Sequence, residues 1–212
     1  MARYTNGING PFSGKVGKII GSSWKGIPYI KALPKKRTKP ARENEKLNRN
    51  KFGMAHWWLK PLKYFLRVGF KGYSEKVEGF IAAKSWLLKN AFEGEGDNMR
   101  INPSLAKVSH GDLHLPANIA VAKTGPEELQ ITWDVPAMGD DAYDQLMVLA
   151  YDIEHGRARW NITGQFRSAG RDTLYISTES FETTYHIYVA FVAADRSRQS
   201  DSVYLGTVSG SN

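Results

Sequence analysis

From Ala117 onward the apolar residues recur at every second position, in about seven short runs separated by turn-rich pieces. The runs are ANIAVAK, ELQITW, QLMVLAYD, RARWNITG, DTLYIST, TTYHIYVAFVA and SVYLGTV, and the breaks include PAMGDDAY and ADRSRQSD. A period of two belongs to strands with one face buried and the other in water. Strands this short and this regularly spaced bury their apolar faces by packing as two antiparallel sheets. Residues 117–208 are therefore expected to form a β-sandwich.

Upstream the period changes. Phe52, Ala55, Leu59, Leu62 and Leu66 recur at steps of three and four, with Trp58 and Phe65 widening the stripe, which is one apolar face of a helix. Pro61 falls inside that pattern, so a break with a fresh helix starting at the proline is expected there. A second helix is expected from about Ser74 to Ala91, with Val77, Phe80, Ile81, Lys84, Leu87, Leu88 and Ala91 at helical spacing, and EGEGDN ends it. The aromatic stripe reads as the seam between the two helices. The helical segment spans 41–93, and 94–116 reads as a linker to the sandwich.

The front of the chain differs in both pattern and charge. Met1 to Arg42 holds ten Lys and Arg residues and no Asp or Glu. Residues 1–100 carry 21 basic against 7 acidic side chains, and residues 101–212 carry 8 against 14, so the net +8 conceals a division. KVGKII and IPYIKAL read as two short strands around GSSWKG, in which Gly21 and Gly26 supply the turn. Pro28 has no N–H to donate, which places the second strand at an edge. A lone two-stranded hairpin is marginal in water and needs something to pack on. PKKRTKP then forms a polar connector, so 1–40 is a basic β-hairpin arm. The whole is expected to be an α+β chain in several parts.

Two resemblances sit on particular residues. ELQITWDVP, with Leu129, Ile131 and Trp133, followed by TYHIYVAFVAADRSRQSDSVYLG, resembles the second strand and final hairpin of a fibronectin type III domain. That likeness implies an immunoglobulin-like sandwich used as a spacer, adhesion module or assembly contact. GPFSGKVGKIIGSSWKGIPYIKALPKKRTKPAR, with Arg49, Phe52 and the GDL at Gly111 to Leu113, resembles an uncharacterised domain-of-unknown-function family of bacterial proteins. A looser likeness is to phage and prophage proteins in which a Gly-rich aromatic hairpin leads into a Pro-Thr segment, then Gln, Arg and a helix. Thr38 to Pro40, Arg49 and Phe52 match that order, while Arg42 to Glu45 stand where the Gln is expected.

Catalytic signatures are missing. The Gly14-Lys15 pair has Asn9 where a phosphate-binding loop requires Gly, and Val16 where it requires Ser or Thr. There is no Gly-x-Ser-x-Gly elbow, and zero Cys excludes thiolate nucleophiles, disulfides and Cys-ligated metals. His110 and His114 are spaced as a helical metal pair, but Gly111 and Pro116 argue against a helix and a third ligand is lacking. Asp140, Asp141 and Asp144 lack the graded spacing of a calcium loop and read as solvated. His155 and His186 fall in strand or hairpin positions, where a structural role is expected. No enzyme activity, metal or cofactor is expected. No apolar run is long enough to span a membrane, and the start has no apolar block of a signal peptide, so folding in the cytosol is the expectation.

The basic arm admits three readings. As an assembly arm, the hairpin adds its edge to a neighbour and Trp24 anchors in a pocket, with Lys25, Ile27 and Tyr29 beside it, while Lys35, Lys36, Arg37 and Lys39 meet the acidic half of another copy. As a nucleic-acid arm, the cations neutralise phosphates while Trp24 and Tyr29 stack on unpaired bases. In the third reading the aromatics cap the helix pair and the lysines are merely solvated. Assembly is preferred because repetition explains a weak hairpin, a charge-split chain and a sandwich module together. The expected function is a non-enzymatic structural subunit of a self-assembling particle, in a phage or prophage virion setting, with nucleic-acid binding by the arm as the alternative.

Overall fold

The computed structural model describes residues 3–4, 7, 10–74, 77–135, 139–176 and 183–210. Residues 75–76 of the expected second helix and Ser177 and Thr178 of the DTLYIST run lie outside the described residues. The architecture is α+β with antiparallel sheets. The chain forms two compact units, Met1–Arg42 and Glu43–Asn212.

The first unit is a four-stranded antiparallel sheet in the order β1-β2-β3-β4, with β1 Arg3–Tyr4, β2 Phe12–Val16, β3 Ile19–Trp24 and β4 Ile27–Ala32. The expected two-stranded hairpin is corrected here. KVGKII is a turn flanked by two strands, and GSSW is strand rather than turn. Gly17, with φ +56°, turns β2 into β3; Lys25 and Gly26, with φ +47° and +81°, form the tight turn between Trp24 and Ile27. Two successive residues at positive φ are what a two-residue hairpin with the right-handed strand twist requires. Gly21 is required for another reason: a Cβ there would lie 2.1 Å from the Phe12 carbonyl oxygen and 2.6 Å from its ring. β4 is an edge strand, as Pro28 implies.

In the second unit, α1 Glu43–Leu59 runs into a 3₁₀ turn at Lys60–Leu62, and α2 Lys63–Gly69 follows. Pro61 therefore breaks the helix without ending the apolar stripe, since Leu59, Leu62, Phe65 and Leu66 are all fully buried. The stripe's first member is the exception, because Phe52 is exposed beneath the Lys84 ammonium. α3 Gly79–Asn90 buries Ala82, Ala83 and Leu87. Of the expected stripe, Leu87 and Ala91 are buried and Phe80 and Leu88 pack against the same cluster, while Ile81 is left in water. Small alanines sit where α3 lies close to its neighbours, and the bulky Ile81 is turned outward.

β7 Ala120–Lys123, β8 Glu128–Thr132 and β11 Arg171–Tyr175 form a three-stranded sheet in the order β11-β8-β7. β9 Gln145–Asp152, β10 Arg157–Asn161, β12 Thr184–Val192 and β13 Val203–Ser209 form a four-stranded one, β10-β9-β12-β13. Side chains of β9 and β12 alternate between two apolar clusters. Leu146, Val148, Ala150, Ile187, Val189 and Phe191 join Leu129, Ile131 and Leu174 of the three-stranded sheet. Met147, Leu149, Tyr151, Tyr188, Ala190 and Val192 join the helices. The central strands are thus covered on both faces, which is why QLMVLAY and YVAFV are continuously apolar instead of alternating. The helical stripe is more than a helix–helix seam: the Tyr151 hydroxyl donates to the Trp58 carbonyl at 2.7 Å, and the two rings meet edge to face.

Residues 94–116 do not behave as a linker. Between β5 Phe92–Glu93 and β7 lie β6 Arg100–Ile101, paired with β5, and two core side chains, Ala106 and Val108. Apolar residues in this stretch had a surface to bury against because the helices lie on the larger sheet.

Candidate functional site

Strand register sorts the N-terminal sheet into two faces, because directly opposed residues of an antiparallel pair share a face. Trp24 opposes Ile27, Ser22 opposes Tyr29, and Ile20 stands between Lys15 and Lys31. With Arg3, opposite Ser13, these form one face. Trp24, Ile27 and Tyr29, proposed from sequence to act together, do share it, and they remain 51%, 59% and 42% exposed. Lys25 lies in the turn, its ammonium 5.5 Å from the Trp24 ring, and Lys31 lies 5.9 Å from the Tyr29 ring. The geometry is that of an aromatic pair framed by cations.

The other face was missed by sequence reasoning. Tyr4 opposes Phe12 with ring centroids 5.7 Å apart, Val16, Ile19 and Ala32 line up across three strands, and Gly14, Gly21 and Ile30 do the same one step along. Tyr4, Val16, Ile19 and Ile30 are all exposed, Ile30 at 63%. The signal was present in the alternation of β2 to β4, but the faces follow only once the turns at Gly17–Lys18 and Lys25–Gly26 are placed. No Lys or Arg of β1 to β4 lies on this side.

Lys35, Lys36, Arg37 and Lys39 lie in the irregular segment after β4, all exposed, and not on the strand face that carries Trp24. Arg37 is folded onto its own backbone, donating to the Lys39 carbonyl at 2.7 Å and the Pro40 carbonyl at 3.0 Å. Since the unit contains no acid, its cations have no carboxylate of the unit to neutralise them.

The other candidates are structural. His110 is packed among Phe70, Tyr73 and Trp86, with Nδ1 2.8 Å from Asp201 Oδ1. Burial alone would raise the Asp201 carboxyl, but the Lys107 ammonium at 2.5 Å and the Gly111 amide outweigh it and hold the acid below its ordinary value. The GDL stretch is a latch of the same region. Gly111 has no room for a Cβ, which would sit 1.9 Å from the Gln199 carbonyl, Asp112 pairs with Arg198 at 2.9 Å, and the Leu113 amide donates to Gln199. His114 offers its carbonyl to Arg167 at 2.5 Å.

Asp144 is not a solvated acid: it is buried 3.2 Å from the equally buried Arg167. Burial pushes its carboxyl up, against the guanidinium that lowers it. Asp141, more exposed, also approaches Arg167, and the side chain of Asp140 lies outside the described residues. His155 pairs with Asp152 and His186 with the Tyr204 hydroxyl, each at 2.8 Å. Among the described residues no group of three or more His, Asp or Glu side chains is placed to hold a metal, and no helix is long and apolar enough to cross a membrane. An apolar cleft of about 400 Å³ is lined by Met54, Trp57, Trp58, Ile101 and Ile153, with Arg100 at its side.

No curated protein and no solved structure matches the chain. Residues 11–206 match DUF6266, a family of unknown function, and the chain belongs to that family.

Proposed function

We propose that the protein is a non-enzymatic structural subunit of a self-assembling particle, and that the N-terminal sheet is its assembly surface. One observation carries the reading: a four-stranded sheet exposes large apolar side chains on both faces. Contiguous exposed apolar surface marks an interaction site, and a small sheet without a covered face is marginal by itself. The cations that accompany it, ten against no acid, complement the excess of acid in residues 101–212 of another copy. A phage or prophage virion is the setting this reading favours, on the likeness of the aromatic Gly-rich strands leading to Thr38–Pro40, Arg49 and Phe52.

We further infer that residues 117–208 form a fibronectin-III-like sandwich, serving as a spacer or contact module. In support, a three-stranded and a four-stranded antiparallel sheet share one apolar cluster. Trp133, just past β8, packs edge to face on Phe191 of the larger sheet and donates its indole N–H to the Arg167 carbonyl at 2.7 Å.

The experiment is light scattering on the purified chain. The wild type is expected to run as a multimer free of nucleic acid, and Trp24→Ala to lose the larger species while staying folded. A wild-type chain that is monomeric throughout, or a Trp24→Ala chain of unchanged size, overturns the reading.

A specific observation favours the second reading, nucleic-acid binding: Trp24 and Tyr29 share their face with Arg3, Lys15 and Lys31. Exposed aromatics among cations form a platform for stacking unpaired bases. It predicts affinity for an oligothymidine that falls steeply with salt and is abolished by charge reversal at Lys35, Lys36 and Arg37. Salt-insensitive binding, or none, removes it.

A further inference from the structure

We propose that the uncharged face of the N-terminal sheet is the contact between two copies of this chain, packed face to face about a two-fold axis. The proposal rests on the assembly reading and deepens it by naming the partner and the face.

Charge distribution carries the inference. The unit holds ten Lys and Arg residues and no acid, yet every cation within its strands, Arg3, Lys15 and Lys31, is on the face with Trp24. Lys18 and Lys25 occupy the turns. The opposite face presents Tyr4, Phe12, Val16, Ile19, Pro28 and Ile30, with no charge among them. An acidic partner or a polyphosphate would be met by a face that carries the cations, and this face carries none. A second copy is the partner for which such a pattern is required. Two units each bearing ten positive charges repel one another through any other approach, and only a charge-free patch lets them meet in the self-complementary way a two-fold contact demands.

The β4 edge of the sheet offers no alternative route to pairing, for it carries Pro28 and Lys31. Proline and lysine on an edge strand are devices that block edge-to-edge addition. Face-to-face packing is the ordinary way two sheets bury apolar side chains. The floor suits it: the paired Gly14 and Gly21 leave the centre low, and the Phe12 ring lies against Gly21.

The contact is small. Four strands of up to six residues cover roughly 20 Å by 15 Å. That is well under the roughly 800 Å² per partner of a standard stable interface, so the pairing is weak and concentration-dependent. The opposite face is left free for a second contact, and two different interfaces per chain are what growth beyond a dimer needs.

The test uses the full chain carrying Trp24→Ala, which the assembly reading reduces to its smallest species, in sedimentation velocity over about a hundredfold range of concentration. The expected result is a monomer–dimer equilibrium. Adding Ile30→Lys, or independently Ile19→Lys, is expected to weaken the dimer at least tenfold, because each puts a cation from both copies into the apolar contact. Both positions are exposed, so neither change buries a charge in the unit itself. A dimer that persists through both lysine variants overturns the face assignment. A Trp24→Ala chain that is monomeric at every concentration, from a wild type that is multimeric, overturns the pairing and leaves the assembly reading standing. A wild type that is itself monomeric overturns both.

Discussion

The N-terminal sheet and the larger sheet of the second unit have the same number of strands and the same antiparallel pairing, and they differ in what lies against them. Both faces of β9 and β12 are covered, one by a second sheet and the other by helices, and nearly every residue of those strands is buried. β4 is exposed at all six positions. Apolar and aromatic residues supply the strands in both cases, but β1 to β4 also carry glycines, serines and cations that β9 and β12 lack. What separates them is exposure along the strands.

Core truncation gives the sharpest break in this comparison. Leu59 is fully buried in the cluster that ties the helices to the larger sheet, and Leu59→Ala is expected to cost about 2–5 kcal/mol in urea unfolding. Ile30→Ala, at the exposed face of the first sheet, should leave the same transition unchanged. A comparable loss from Ile30→Ala would mean that the two sheets unfold as one and that Ile30 is covered in solution.

A smaller effect is expected from Gly21→Ala. Its Cβ would meet the Phe12 carbonyl at 2.1 Å, and overpacking of this kind costs about 1–3 kcal/mol. In a sheet without a covered face that is enough to open β2 and β3. Amide hydrogen exchange is expected to accelerate over residues 12–32 while the protection of β9 and β12 stays as it was. Retained protection at β2 and β3 would refute the close approach.

The smallest effect is in pH dependence. Burial lowers the His186 imidazole below its ordinary value of 6.5, against the opposing charge of Asp152. The folded chain then binds its proton less readily than the unfolded one. This contribution is intact above the unfolded value and is lost as pH falls below it toward the folded value. The urea midpoint of the wild type is expected to drop between pH about 7 and about 5 more than that of His186→Gln. Parallel curves for the two proteins would remove the histidine from the account. The N-terminal unit contains no histidine, and no such slope is expected in its local exchange.

Much of the fold was legible residue by residue. Pro61 does break the helix, Pro28 does mark an edge strand, and period-two runs do give antiparallel strands. The misreadings share a cause. GSSWKG reads as a turn because of its glycines, yet Gly21 is a strand residue whose missing side chain serves a close approach rather than a positive φ. Residues 94–116 read as a linker in the sequence, yet Ala106 and Val108 are buried by a surface assembled from distant segments. At the candidate site, Trp24, Ile27 and Tyr29 stood out as exposed-looking aromatics and aliphatics near charge. The uncharged face, with Ile19 and Ile30, stayed hidden because faces follow from register, and register depends on where each turn falls.

By itself the sequence determined which residues are apolar, where the charge lies, which segments have helical or strand periodicity and where prolines interrupt them, since these depend on local chemistry alone. Tertiary structure alone decided which apolar surfaces are covered, on which face each cation lies and that Asp144 is sealed against Arg167. Those properties arise from contacts between residues far apart in the chain, and no local pattern encodes them.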